Sequence, residues 1–327
     1  MEELLQIEDL SIYYITEAGE TRAVNNLNLK LDKGETLGFV GETGAGKTTS
    51  ALGIMRLVPN PPGKIVSGKV FFDGENLLEK PEKEMHQIRG NKISMIFQDP
   101  MTSLNPVMTV GEQIAEVLAL HQNLKKDELK EKTCQMLETV GIKRERVHDY
   151  PHQFSGGMKQ RVVIAMALAC NPMLIIADEP TTALDVTIQA QVLELMIDLK
   201  KKYNTSMIMI THDLGIVAEI CDNVAIMYAG SVIEYGSVEK LYTAPKHPYT
   251  KGLFASIPTL DADEDSLHVI KGSPPNPVDL PTGCKFHPRC EFATERCKSE
   301  CPSMIDVDNA HSVACFLFDK KVSMEDK

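Results

Sequence analysis

The segment Gly41-Glu42-Thr43-Gly44-Ala45-Gly46-Lys47-Thr48 constrains this chain more than any other, because it stands between the strand-like run Thr36 to Val40 and a helical pattern. Gly41, Gly44 and Gly46 let the backbone curl until its N–H groups face a common point, and the next helix adds its first amides and the positive end of its dipole. That is a cradle for phosphate. In such a loop Lys47 is expected to reach the β- and γ-phosphates of ATP, Thr48 to hold Mg²⁺, and Thr49 to add a phosphate contact. An ordinary Gly-rich turn is the plainer alternative, and the downstream sequence argues against it.

Four apolar residues, Leu174 to Ala177, lead into Asp178-Glu179 at what should be a strand's carboxyl end, where α/β sheets place their ligands. Asp178 is expected to hold Mg²⁺ through water, and Glu179 to act as the general base that orients the attacking water. An acidic pair after a strand is, taken alone, more often a solvated helix start. Further back, Ser155-Gly156-Gly157 opens another helical pattern, so the Ser155 hydroxyl and the glycine amides form a second anion site.

Around these points the opening third alternates with period two, as in Leu10 to Tyr14 and Lys69 to Phe72, and reads as strands. From about Pro100 to Gln160 the pattern turns helical, with Val110 to Leu120 and Leu129 to Val140 as amphipathic stretches. Short buried-strand runs then return, Leu174 to Ala177 and Met207 to Ile210, alternating with helices such as Ile188 to Lys200. The expected class is α/β, a parallel core with an antiparallel β part, interrupted by a helical subdomain. Beyond Tyr242 Pro, Gly, His and Cys accumulate and the periods fade, so a boundary falls near Ala244. The predicted divisions are 1–98 and 160–243 for the core, 99–159 for the helical subdomain and 244–327 for a cysteine-rich extension.

The ordered set of the phosphate loop, Gln98, Ser155-Gly156-Gly157, Asp178-Glu179, the loop Ala183-Leu184-Asp185 and Thr211-His212-Asp213 resembles an ABC-type ATPase over about residues 5–243. The resemblance implies that two such domains pack head to tail, each signature closing over the ATP held by the other's phosphate loop. It makes Gln98 a contact to Mg²⁺ and water, His212 the γ-phosphate switch and Asp185 part of the nucleotide site. Tyr14, which shares a strand face with Ile12, is the candidate for stacking on adenine, with Tyr13 beside it. Met158 departs from the family pattern, which usually has glutamine after the glycines. The anion contacts come from Ser155 and backbone, so competence is expected, and Glu179 marks this chain's own site as catalytic.

Asp99-Pro100-Met101-Thr102-Ser103-Leu104-Asn105-Pro106 resembles the dipeptide, oligopeptide and nickel importer subgroup, where this segment docks the permease. His247-Pro248-Tyr249-Thr250, Leu253 and Gly272-Ser273-Pro274-Pro275 resemble the C-terminal extension of its D-type ATPases. The implied partners are a second ABC ATPase, identical or a sister chain, two transmembrane permease subunits and, indirectly, an extracytoplasmic peptide-binding protein. Nickel is the alternative cargo.

Five of the eight cysteines crowd the end of the chain. Five residues separate Cys284 from Cys290, six separate Cys290 from Cys297, and seventeen separate Cys297 from Cys315. Zinc knuckles usually use two to four residues between paired ligands, so the spacing leans to a cluster held by four thiolates. Members of the resembled group have Phe-x-Pro-Arg-Cys and His-x-Val-x-Cys elements, here Phe286 to Cys290 and His311 to Cys315, and some carry a 4Fe-4S cluster. The expected ligands are Cys284, Cys290, Cys297 and Cys315. Cys301 lies outside that pattern as a spare thiol or replacement ligand, and His287 and His311 keep zinc open.

A formal net charge of -12 leaves no broad basic surface for a polyanion, so nucleic acid is not an expected partner. The acidic start Met1-Glu2-Glu3 lacks an export signal's basic stretch, and no run reaches the roughly 20 apolar residues of a membrane span. A peripheral place on the cytoplasmic face of the membrane is therefore expected. The rival from another class, a soluble ABC ATPase acting on DNA or the ribosome, predicts tandem ATPase domains, a long coiled-coil insertion or basic arms.

Overall fold

The computed structural model describes residues 2–17, 19–182, 184–256 and 270–319. Ala183 of the Ala183-Leu184-Asp185 loop, and 257–269 and 320–327 of the predicted extension, lie outside the described residues. The chain forms two compact units, one of Met1–Glu2, Asp32–Thr36 and Glu79–Ile210, the other of Glu3–Leu31, Leu37–Leu78 and Thr211–Lys327.

In the first unit the strand Leu174–Asp178 lies between Ile93–Ile96 and Ser206–Ile210, parallel to both, with Ile175 opposite Ser94 and Met207. Every residue of Leu174–Asp178 and Ser206–Ile210 is buried, which is why the runs Leu174 to Ala177 and Met207 to Ile210 within them are continuously apolar and do not alternate. The helical insert follows the predicted stretches closely: Val110–His121 and Lys126–Thr139 are both helices. Thr109 starts the former with a capping box, its hydroxyl accepting from the Glu112 N–H while the Glu112 carboxylate accepts from the Thr109 N–H. The buried Gln113 amide accepts from the Asn105 N–H at 2.8 Å and donates to the Asn105 carbonyl at 3.1 Å, fixing the end of the 99–106 segment to the helix. Helix Gly156–Leu168 carries the signature at its start, and Val186–Tyr203 runs from Asp185 to a left-handed Asn204.

In the second unit the strand residues Leu37 to Val40 pair in parallel with Asn223–Tyr228, which turns into the antiparallel Ser231–Ser237. Where the sequence pattern faded, the extension supplies two short strands, His311–Val313 against Ser231–Ser237 and Ile305–Asp308 outside it. They cover an edge that would otherwise present unpaired amides and carbonyls. Glu234, fully buried in the covered strand, is the fastening point. Its carboxylate accepts from the N–H groups of Lys246 (2.7 Å) and His247 (2.8 Å) and lies 2.7 Å from His311 Nε2. Three partners repay much of the cost of removing a carboxylate from water. The antiparallel β part is a second sheet in the order Gly19–Asp32, Glu3–Thr16, Gly63–Phe72 and Glu75–Asn76.

Candidate functional site

The phosphate loop is shaped by close backbone approach. A Cβ on Gly41 would fall 2.2 Å from the Met227 carbonyl oxygen, and one on Gly46, at φ 100°, would fall 2.4 Å from that of Ala23. Helix Lys47–Ile54 starts immediately after. The Lys47 ammonium, on a residue 8% exposed, is held over the loop by the carbonyls of Gly41 (2.7 Å) and Glu42 (3.1 Å). Thr48 is exposed and Thr49 half-buried.

Glu42 is held at both ends by the extension. Its N–H donates to the Tyr249 hydroxyl at 3.0 Å, and its carboxylate takes both terminal nitrogens of Arg289 at 2.8 and 3.0 Å. Tyr249 and Tyr228 pack with their centroids 4.7 Å apart and their planes tilted by 57°, and Phe286 meets each of them edge-on. Burial raises the Tyr249 phenol well above its ordinary value, and the Glu42 carboxylate strengthens the charged form of Arg289. Sequence reasoning did not assign roles here to Glu42, Tyr249 or Arg289, although the latter two stood in quoted stretches of the extension.

Tyr14 is half-buried near the end of its strand, opposite Gly63, and its ring edge covers that glycine. Tyr13 instead lies under Arg22, whose guanidinium carbon is 5.6 Å from the ring centroid. His212 is exposed and directly precedes Asp213, which caps helix Leu214–Ile220.

In the other unit the structure brings Gln98 and Glu179 together. The Glu179 carboxylate accepts from the Gln98 amide at 2.8 Å and from the Thr182 hydroxyl at 3.0 Å. Its backbone is left-handed, at φ 45°, and its N–H donates to the Ile210 carbonyl at 2.8 Å. A non-glycine residue in that region carries a conformational cost of roughly 1–3 kcal/mol that its surroundings must sustain, and such residues cluster at functional sites. Asp178, the residue before it, ends the central strand almost fully buried.

Ser155 is the N-cap of its helix, its hydroxyl accepting from the Met158 N–H at 3.4 Å, and Ser155 and Gly156 are exposed while Gly157 is buried. The helix N-terminus thus opens at the surface. Met158 lies against Arg146, 3.4 Å from Sδ to Nη1, and the same guanidinium stacks 4.1 Å over Phe154. Asp185 caps Val186–Tyr203 by accepting from the Ile188 N–H at 3.0 Å, a structural duty the sequence reading had not given it.

Cys284, Cys290, Cys297 and Cys315 all line one cavity of about 510 Å³, together with His247, Phe286 and His287. Burial pushes the Cys284 and Cys290 thiols up and the Cys315 thiol to about 11, with the neighbouring cysteines adding to the effect. Burial also depresses His247 to about 3, so the ring is neutral, and its Nδ1 accepts from the Tyr249 N–H. Among the described residues no three His, Cys, Asp or Glu side chains gather into a group that could hold a metal ion. Cys301 is exposed, outside the cavity lining, and donates to the Gly283 carbonyl. His311, one of the two zinc candidates, is committed to Glu234.

Residues 24–182 match the ABC transporter family model, and residues 233–297 match that of the oligopeptide/dipeptide transporter C-terminal region. The chain is 49% identical to the oligopeptide transport ATP-binding protein AppD of Bacillus subtilis over 98% of both chains. It is 50% identical to OppD of Escherichia coli, over 96% of this chain and 93% of that one. Among solved structures, the dimeric post-hydrolysis state of the ATP-binding cassette MJ0796 bound to ADP and Pi superposes with a TM-score of 0.65, at 26% identity, covering 72% of this chain and 99% of that one. No helix among the described residues is long and apolar enough to cross a membrane. With relatives this similar along nearly its whole length, the chain belongs to the ABC transporter family as one of its ATP-binding subunits.

Proposed function

We propose that this chain hydrolyses ATP to power the uptake of di- and oligopeptides through a separate membrane permease. The observation that carries the reading is the near full-length similarity to oligopeptide transport ATP-binding proteins, which includes the extension as well as the ATPase core. The cytoplasmic face of the membrane is the proposed location. An identical or sister ATPase, two permease subunits and an extracytoplasmic peptide-binding protein are the proposed partners. The segment 99–106 is the proposed permease dock, and 99–159 and 244–327 are its helical subdomain and extension. Affinity purification of the full chain from membranes is expected to recover a permease and ATPase activity stimulated by a peptide-loaded binding protein. Stimulation by nickel-loaded binding protein alone would overturn the cargo.

Within the nucleotide site, Gly41, Gly44 and Gly46 shape the loop, Lys47 counters the β- and γ-phosphates, and Thr49 adds a contact. Thr48, Gln98 and, through water, Asp178 would hold Mg²⁺, which would neutralise phosphate charge. Glu179 accepts the proton of the attacking water, and Gln98 and Thr182 keep its carboxylate aimed. His212 senses the γ-phosphate, Tyr14 stacks on adenine, Asp185 belongs to the nucleotide site, and Ser155, Gly156 and Gly157 act on the nucleotide of the facing subunit.

For the cavity of four cysteines we favour a 4Fe-4S cluster. Four cysteines line one cavity, the number of thiolates that such a cluster takes, although their side chains do not gather as a ligand set among the described residues. A short Pro-rich segment draws folding free energy from such a centre. Protein purified without oxygen is expected to contain about four irons and four acid-labile sulfides per chain with visible absorption. Stoichiometric zinc, or no metal, would overturn the cluster and leave the ATPase reading standing.

A further inference from the structure

Glu42 places a negative charge inside a loop built to receive phosphates. An uncompensated carboxylate there would repel the nucleotide, and the repulsion would be strong because the surroundings are partly dry. Arg289 meets that charge with two parallel hydrogen bonds, and its side chain is only 6% exposed. The guanidinium is itself held in place by other partners. It donates to the Tyr228 hydroxyl (3.3 Å) and to the carbonyls of Lys271 (3.1 Å) and Ile270 (3.4 Å), and it lies 5.9 Å from the Phe286 ring. Arg289 is therefore held by Tyr228 and by backbone of the extension as well as by Glu42, and Tyr249 fixes the backbone of the same loop residue.

We propose that Arg289 is a positioning residue for ATP binding: it neutralises Glu42 and, with Tyr249, holds the loop so that phosphates meet amides and Lys47 instead of a bare carboxylate. The proposal rests on the assignment of Gly41 to Thr48 as the phosphate site. It gives the extension a direct part in nucleotide affinity, made through an ion pair between residues 247 positions apart.

The test is equilibrium binding of a fluorescent ATP analogue with Mg²⁺ to the full-length chain, paired with steady-state hydrolysis. Arg289→Ala is expected to weaken binding by roughly tenfold to a hundredfold and to raise KM in step, with kcat changed by less than about threefold. Arg289→Lys, which keeps the charge but loses the fork, falls between the two. The discriminating variant is Glu42→Gln combined with Arg289→Ala, which removes the stranded charge and is expected to return affinity to within about threefold of wild type. Wild-type affinity in Arg289→Ala, or a double variant no better than Arg289→Ala alone, would overturn the proposal. Should Arg289→Ala not fold, Arg289→Gln is compared with Glu42→Gln plus Arg289→Gln, and equal affinities would overturn it likewise. If Lys47→Ala binds ATP normally, the phosphate site falls and the clamp with it. If Lys47→Ala loses binding while Arg289→Ala does not, only the clamp falls.

Discussion

Glu179→Gln is expected to keep ATP bound and to hold two subunits together while hydrolysis falls by about 10²-fold or more, the size of loss that follows removal of a group acting in the transition state. The amide matches the carboxylate in size and still accepts from Gln98 and Thr182 through its oxygen, so the strained turn at Glu179 is preserved. What it loses is the capacity to take a proton from water. Turnover assays alongside size-exclusion chromatography with ATP separate the two effects. Unchanged turnover would remove Glu179 from its role as base, and lost ATP binding would mean that the substitution had disturbed the strand end itself.

Lys47→Ala acts at the opposite stage. Its buried ammonium bonds two carbonyls of its own loop, partners that the proposed ATP complex would exchange for phosphate oxygens. Removing it is expected to weaken ATP binding by roughly a hundredfold, as for other charged partners of a desolvated pair. It also leaves the Gly41 and Glu42 carbonyls without their donor, so loop rigidity should fall as well. Isothermal titration with Mg·ATP measures the first effect, and hydrogen exchange over residues 41–48 the second. Normal affinity would refute the assignment.

Much of this site was legible because its determinants are local. The phosphate loop, the acidic pair after an apolar strand and the helix-opening Ser155-Gly156-Gly157 are contiguous, and each carries its own structural context. Spacing and resemblance together singled out four cysteines, and all four line one cavity, but among the described residues they do not gather into a group that could hold a metal ion. Asp185 shows a signal present but passed over: an Asp directly before an apolar-periodic helix is an N-cap pattern. The strands Ile305–Asp308 and His311–Val313 were beyond reach, since four and three residues are too few to establish a period. The pairs Glu234 with His311 and Glu42 with Arg289 span 77 and 247 residues and leave no local mark on either partner. Distance in sequence, more than subtlety of chemistry, set the limit.

Fastening an early loop with late residues has a consequence for biosynthesis. At about 5–20 residues per second, a ribosome that has just made Glu42 needs on the order of ten to fifty seconds to reach Arg289. Throughout that interval the nascent loop carries its acidic residue unanswered, and the Ser231–Ser237 edge stays bare until His311–Val313 is made. Under the proposed pairing of Arg289 with Glu42, a growing chain would bind ATP weakly until its final segments are made.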